Sequence, residues 1–140
     1  MAELEWQEPI ETGSLRRALR QALRRARPGW RVVAEGFLGA TTPIDLLAIG
    51  ERGELICVRA SADADGGALL LARALSDLGW IAPRVADLHK LAPELGLSPL
   101  ARPRAQLFAT EFDPDVLAAA EQVGPLLGAD RLGLGRFRAL

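Results

Sequence analysis

The hydrophobic pattern is most continuous in residues 43–61, which read PIDLLAIGERGELICVRAS. Two apolar runs lie on either side of the polar turn Glu51-Arg52-Gly53. Runs that are apolar on both faces are typical of central strands, and a glycine supplies the positive φ that tight hairpin turns need. The pattern therefore predicts a β-hairpin in the middle of a sheet. Asp45 on the first strand and Arg59 on the second are charges that need a partner, because an unpaired buried charge is costly.

The rest of the chain alternates between helical and strand periodicities. The predicted elements are a helix at 15–27 capped by Ser14, strands at 31–38, 44–49 and 54–60, a helix at 67–78, a strand at 104–110, a helix at 113–123 and a closing strand at 131–137. Residues 82–103 contain four prolines and are predicted to be the least regular part, with one short helix at VADLHKL. Residues 1–13 are predicted to be an acidic lead-in outside these elements. This order of helices and strands predicts a fold of the α/β class.

Length and composition narrow the class of protein. At 140 residues, with 49% apolar and 25% charged residues, the chain is expected to form a single globular domain over residues 1–140. No apolar run approaches the length of a membrane span, and the acidic start does not have the pattern of a signal peptide, so a cytoplasmic location is expected. The net charge of −1 gives no global indication of nucleic-acid binding.

The first predicted helix carries six arginines. They are Arg16, Arg17, Arg20, Arg24, Arg25 and Arg27. One interpretation is a solvated helix face that the glutamate-rich lead-in neutralises. The other is a phosphate-contacting strip in which Arg16, Arg17, Arg20 and Arg24 bind nucleic acid. Both interpretations remain open on the sequence alone.

Few residues suggest metal or nucleophilic chemistry. Cys57 lies inside an apolar strand and is expected to be a small core residue. His89 has no cysteine or second histidine near it in the sequence, so it is expected to be a surface residue rather than a metal ligand. The sequence contains no phosphate-binding loop, HExxH pair, CxxC pair or Gly-x-Ser-x-Gly motif.

The central hairpin resembles the PD-(D/E)xK nuclease superfamily. Pro43-Ile44-Asp45 is similar to the first half of the motif, with one inserted residue, and Gly53 is similar to the hairpin glycine. Counting along the hairpin, the acid-x-Lys positions fall on Arg59 and Ser61, and neither residue matches. By element order the resemblance extends from about residue 14 to residue 140. It implies a restriction-endonuclease-like αβββαβ core with an added C-terminal helix and strand, in which helices flank a mixed central sheet.

The resemblance also implies a set of functional expectations. Enzymes of this superfamily hydrolyse phosphodiesters with divalent ions, but here Asp45, Arg59, Ser61 and Glu35 would be positions of a vestigial site without a metal. Arg59 is expected to pair with Asp45 and to close that site. The preferred hypothesis is a catalytically degenerate nuclease-like protein that acts as a binding or assembly module for nucleic acid.

Two alternatives remain open. The first is an active endonuclease that uses Glu35 and Asp45 with Mg²⁺. The second is a structural homodimer without nucleic-acid binding. A homodimer is expected under the preferred hypothesis as well, because the glycine-rich closing strand at 131–137 would leave a lightly protected sheet edge.

Overall fold

The computed structural model describes residues 2–6, 12–37, 39–62, 66–128 and 130–139. The strands are β1 (Ala2–Trp6), β2 (Arg31–Phe37), β3 (Ile44–Ile49), β4 (Leu55–Ser61), β5 (Arg104–Ala109) and β6 (Leu132–Ala139). The helices are α1 (Thr12–Ala26), α2 (Ala68–Ile81), α3 (Val85–Leu91) and α4 (Pro114–Leu127), with short 3₁₀ turns at Ala82–Arg84 and Pro93–Leu95.

The six strands form one mixed sheet in the order β1-β6-β5-β4-β3-β2. The pairs β2–β3 and β3–β4 are antiparallel, whereas β4–β5, β5–β6 and β1–β6 are parallel. The sheet is open and helices flank it. These features confirm the predicted α/β class with a mixed central sheet.

The hairpin of β3 and β4 occupies the middle of the sheet, as the hydrophobic pattern predicts. Every residue of β3 is buried, and so is β4 up to its last residue. The turn closes through hydrogen bonds from Gly50 N–H to Glu54 O and from Gly53 N–H to Gly50 O. Gly53 has φ of 78°, and a Cβ added there would lie 2.9 Å from the carbonyl oxygen of Gly96. Both the turn and the neighbouring chain therefore require glycine at this position.

Helices cover the two faces of the sheet unequally. On one face, Leu19 and Leu23 of α1 pack against Leu46, Val58 and other residues of the central strands. On the other face, α2 and α4 cover β5 and β6, while α2 and α3 cover the hairpin. Because the hairpin has a helix on both sides, any charge on it is buried by one helix or the other.

Several boundaries differ from the sequence prediction. The lead-in contains strand β1, which pairs with β6, so the predicted closing strand is internal and its edge is covered. Helix α2 continues through Gly79 and ends at Ile81, three residues beyond the predicted end at residue 78. The short helix predicted in residues 82–103 is α3. In the described part of the chain, no helix is long and apolar enough to cross a membrane.

Candidate nuclease-like site

The side-chain alternation of β3 is interrupted next to Asp45. Leu46 and Val58 are partners in the β3–β4 ladder and both pack in the α1 cluster, whereas Leu47 packs on the opposite face. Regular alternation would place Ile44 with Leu46, but Ile44 packs with Leu47. The strand is therefore irregular between Ile44 and Leu46, and this irregularity decides which helix Asp45 meets.

Asp45 is directed toward α1. Its Oδ1 accepts a hydrogen bond of 3.0 Å from Nε of Arg16, and its Oδ2 accepts one of 3.0 Å from the backbone N–H of Ala60. The Asp45 side chain is 12% exposed and that of Arg16 is 23% exposed. Both carboxylate oxygens thus have a donor within the protein, and the charge of Asp45 is already neutralised.

Arg59 is directed toward α2 and is saturated with hydrogen bonds. Its Nε and Nη2 donate to Oδ2 and Oδ1 of Asp77 at 2.5 and 2.8 Å. Its Nη1 donates to Thr42 Oγ1 at 3.0 Å and to Pro43 O at 3.2 Å, and Nη2 also donates to Thr42 O at 3.1 Å. A guanidinium has five N–H donors, and all five are used. The loop before β3 and the helix α2 therefore enclose Arg59.

The prediction that Arg59 pairs with Asp45 is wrong. Arg59 pairs with Asp77, and Asp45 pairs with Arg16, because the irregular start of β3 directs the two side chains to different helices. Asp77 was not among the site residues predicted from the sequence. A signal was present, because Asp77 interrupts the apolar stripe of α2 between Ala74 and Leu78, and an acid on a buried helix face requires a partner.

Glu35 lies on β2 opposite Leu46, on the same side of the sheet as α1. Its Oε1 accepts a hydrogen bond of 2.9 Å from Nη1 of Arg20. Arg16 and Arg20 are one helical turn apart, so α1 places one arginine on each of the two candidate carboxylates. The structure thus brings Glu35 and Asp45 under the same helix, each in an ion pair.

Ser61, the other candidate site residue, follows Ala60, whose backbone N–H donates to Asp45. Ser61 is half-buried at the end of β4. Among the described residues, no group of three or more His, Cys, Asp or Glu side chains is placed to hold a metal ion. His89 lies on α3, half-buried rather than at the surface, and its Nδ1 is buried without a hydrogen-bond partner among those residues. The site as it stands is a set of closed ion pairs.

The four arginines proposed to contact nucleic acid divide into two groups. Arg16 and Arg20 are paired with Asp45 and Glu35, the first pair partly buried and the second exposed to solvent. Arg17 and Arg24 are exposed, and Arg17 donates a hydrogen bond to Ser14 Oγ at 3.2 Å. The described neutralising partners of the helix are thus two residues of the sheet. The glutamates of the lead-in, to which the sequence analysis assigned this role, lie outside the residues whose side chains are described.

Cys57 is buried next to the Arg59–Asp77 pair, as expected of a core residue. The pKa of its thiol is raised from 9.0 to about 12, chiefly by burial and secondarily by the charge of Asp77, against a smaller opposing effect of Arg59. The thiol is therefore protonated at neutral pH and has no role as a nucleophile or metal ligand in this state.

Comparison with known proteins shows a likeness in fold. A repair endonuclease from Pyrococcus abyssi superimposes with a TM-score of 0.53 at 13% sequence identity, and a complex of EndoMS with dsDNA superimposes with a TM-score of 0.50 at 14% identity. Each match covers 96% of this chain and 48% of the other, so this chain spans about half the length of those proteins. No protein-family model and no curated protein matches the sequence. The expectation of a nuclease-like fold is confirmed by these structures.

Proposed function

We propose that this chain is a degenerate PD-(D/E)xK nuclease-like protein, a single cytoplasmic domain that binds nucleic acid or assembles with it and does not cleave it. The observation that carries the proposal is the state of Arg59. The resemblance places an acidic metal ligand at this position, and here an arginine lies 4% exposed with all five donors used.

The chemistry of the site supports loss of cleavage. Mg²⁺ binds through carboxylates and other oxygen ligands. Arg59 contributes no oxygen ligand, and its guanidinium brings a positive charge that repels a metal cation. Both carboxylate oxygens of Asp45 accept a hydrogen bond, from Arg16 and from Ala60, so a metal at Asp45 would compete with the positive charge of Arg16.

The active-endonuclease alternative needs Glu35 and Asp45 as a metal pair. Both carboxylates lie on the α1 side of the sheet, which favours the alternative, but each is paired with an arginine at 2.9–3.0 Å. A metal between these carboxylates would therefore lie beside two arginines and be repelled by their charges. Mg²⁺ would be the cofactor only under this alternative.

The proposed nucleic-acid surface is the exposed side of α1. Arg17, Arg24 and Arg25 are exposed, and positions seven residues apart on a helix share a face. For Arg24 and Arg25 the described residues offer no hydrogen bond or ion pair. These side chains are therefore available to phosphates in a way that Arg16 and Arg20 are not.

The test is titration of labelled duplex and single-stranded DNA with wild-type protein and with the triple variant Arg17→Gln/Arg24→Gln/Arg25→Gln. We expect the variant to bind about tenfold or more weakly, with a salt dependence reduced by about one unit of slope per contact removed. Arg73→Gln, a change on α2 across the sheet, is the control for loss of a single positive charge and should leave affinity unchanged. Equal affinity of the triple variant and wild type would show that the exposed arginines of α1 do not bind nucleic acid.

Cleavage is tested with the same DNA in the presence of Mg²⁺ or Mn²⁺. We expect no product above the background of an Asp45→Asn/Glu35→Gln variant. Metal-dependent product that this double substitution abolishes would establish the active-endonuclease alternative instead. In that outcome Arg16 and Arg20 would control access of the metal to a functional site.

A further inference from the structure

A second cluster of arginines lies at the opposite end of the sheet from the nuclease-like site. Strands β4, β5 and β6 are parallel, so their N-terminal ends share one edge. Arg104 begins β5, Arg131 immediately precedes β6, and Arg52 lies in the turn before β4. Arg102 precedes β5 by two residues. We call the space that these four residues line the arginine cleft.

The arginine cleft has the size of a ligand site. Its volume is about 490 Å³, within the range of small-molecule pockets of roughly 300–1,000 Å³. Its lining is completed by Glu54, Ala101, Gly128 and Asp130. Of these eight described lining residues only Ala101 and Gly128 are uncharged, so the cleft offers guanidinium hydrogen-bond donors to a ligand.

Arg131 is held in place at the wall of the cleft. Its Nε donates to Pro103 O at 2.9 Å and its Nη1 donates to Leu127 O at 2.8 Å. These two bonds fix the plane of the guanidinium and leave Nη2 without a bond to any described residue. An arginine fixed in this way loses little conformational entropy when it binds a ligand.

The positive charge of the cleft is poorly neutralised. Where arginines pair with acids elsewhere in the described chain, N–O distances are 2.5–3.0 Å, but here the shortest is 4.0 Å, between Arg104 Nη1 and Glu54 Oε1. Nε of Arg104 is buried and has no partner among the described residues. Burial and, secondarily, the charge of Arg102 lower the pKa of Arg131. Four guanidinium groups share two carboxylates, so an anion would relieve an existing repulsion.

We propose that the arginine cleft is a binding site for a phosphate group, distinct from the nuclease-like site and from the exposed face of α1. Guanidinium groups bind phosphate oxygens in pairs of parallel hydrogen bonds, and a phosphate would bring negative charge to a cleft in which four arginines face two carboxylates. An adjoining cleft, which shares Arg52, Glu54 and Arg104, contains Trp30. Arg104 and Arg27 each lie 5.5 Å from the centre of the Trp30 ring, so the two clefts meet at Arg104.

The experiment is calorimetric titration of inorganic pyrophosphate into the full chain at low salt. We expect saturable binding that the double variant Arg52→Gln/Arg102→Gln weakens by about tenfold or more. Both side chains are exposed and make no bond to a described residue, so the variant should fold normally, as its melting curve will verify. Arg73→Gln is the control of equal charge change per site and should bind within about twofold of wild type.

Two sources of the phosphate are distinguished with a single-stranded oligonucleotide, with and without a 5′-phosphate. This experiment uses the Arg17→Gln/Arg24→Gln/Arg25→Gln variant, which lacks the exposed arginines of α1. Binding to the arginine cleft is therefore measured separately from nucleic-acid binding by α1, and either can fail without the other. Tighter binding of the phosphorylated strand would identify a nucleic-acid end, and binding of pyrophosphate alone would identify a small phosphorylated molecule. Absence of saturable pyrophosphate binding by folded wild type, or equal binding by the Arg52→Gln/Arg102→Gln variant, would overturn the proposal.

Discussion

Arg59 and Asp77 form an ion pair between the central strand and α2, with side chains 4% and 2% exposed. Burial of two charges costs several kcal/mol per ion, and their attraction offsets this cost when every remaining donor is satisfied. Thr42 and Pro43 satisfy the donors that Asp77 leaves. The pair therefore joins three segments of the chain: β4, α2 and the loop before β3.

Replacement of Arg59 by alanine should be strongly destabilising. Asp77 would remain buried without its partner, and we expect the free energy of unfolding to fall by about 3–5 kcal/mol in urea denaturation. The double variant Arg59→Met/Asp77→Leu should recover much of this loss, because it leaves no unpaired charge. Arg20→Ala, which breaks a solvent-exposed pair, is the control and should cost less than about 1 kcal/mol. A similar small cost for Arg59→Ala would contradict the buried-pair account.

Cys57 should make stability depend on alkaline pH. The unfolded thiol ionises above its ordinary pKa of 9.0, whereas the folded thiol keeps its proton until its pKa of about 12. Unfolding in this window releases a proton, so the free energy of unfolding should fall as pH rises from 9 toward 12. The chain has no tyrosine and one lysine, Lys90, so few other groups titrate there.

The measurement is urea unfolding at several alkaline pH values for wild type and Cys57→Ala. The variant should lose most of the pH-dependent slope, whatever its stability at neutral pH. A thiol reagent should label native protein at pH 8 far more slowly than urea-unfolded protein. Equal labelling rates would mean that the thiol is accessible and its pKa unshifted.

At the level of single residues, the buried charges Asp45 and Arg59 were predictable from the sequence, whereas their partners were not. Asp45 and Arg59 stand out in any hydrophobicity pattern because each is a lone charge on a buried strand. Their partners depend on the face of the sheet that each side chain occupies. The irregularity between Ile44 and Leu46 changes the face that Asp45 occupies, and the amino-acid composition of the strand does not reveal it. Asp77 could have been found as the lone acid within the stripe of α2.

At the level of elements, α1 separates two roles by helical periodicity. Leu19 and Leu23 face the sheet, Arg16 and Arg20 flank them and reach its carboxylates, and the remaining exposed arginines face solvent. Helices and central strands were predictable because each has a strong apolar period. Strand β1 was not, because its sequence AELEW is short and acidic, and its pairing with β6 is a long-range contact.

The loop before β3 should tolerate little change, because it wraps the Arg59 guanidinium. A Cβ at Gly39 would lie 2.6 Å from Thr42 O and 3.3 Å from Arg59 Nη2. We expect Gly39→Ala to lower the free energy of unfolding by about 1–3 kcal/mol. Gly79→Ala in α2 is the matched control: its Cβ would meet nothing within 4 Å, and it should stabilise by about 0.5–1 kcal/mol. Equal effects of the two substitutions would show that the loop adapts freely.

At the level of the whole molecule, the two edges of the sheet differ. Edge strand β2 carries a bulge between Val32 and Ala34 and a positive φ of 61° at Gly36, irregularities that disfavour pairing with another strand. Edge strand β1 pairs with β6 on one side in a regular register from Ala2 to Trp6. Among the described strands, the edge with a regular register is thus β1, and not the closing strand on which the sequence-based expectation of a homodimer rested.

We expect two chains to associate by antiparallel pairing of their β1 strands about a two-fold axis, which would join the two sheets into one. Sedimentation velocity at micromolar concentration should then show a species of twice the 15.0 kDa chain mass. Proline removes a backbone donor, and successive residues of a strand direct their N–H groups to opposite sides. Of the variants Glu3→Pro and Leu4→Pro, one should therefore dissociate the dimer with little loss of stability, while the other should weaken β1–β6 pairing and lower the melting temperature. Sedimentation of wild type as a single 15.0 kDa species would refute the dimer. A dimer that both proline variants leave intact would place the interface elsewhere on the molecule.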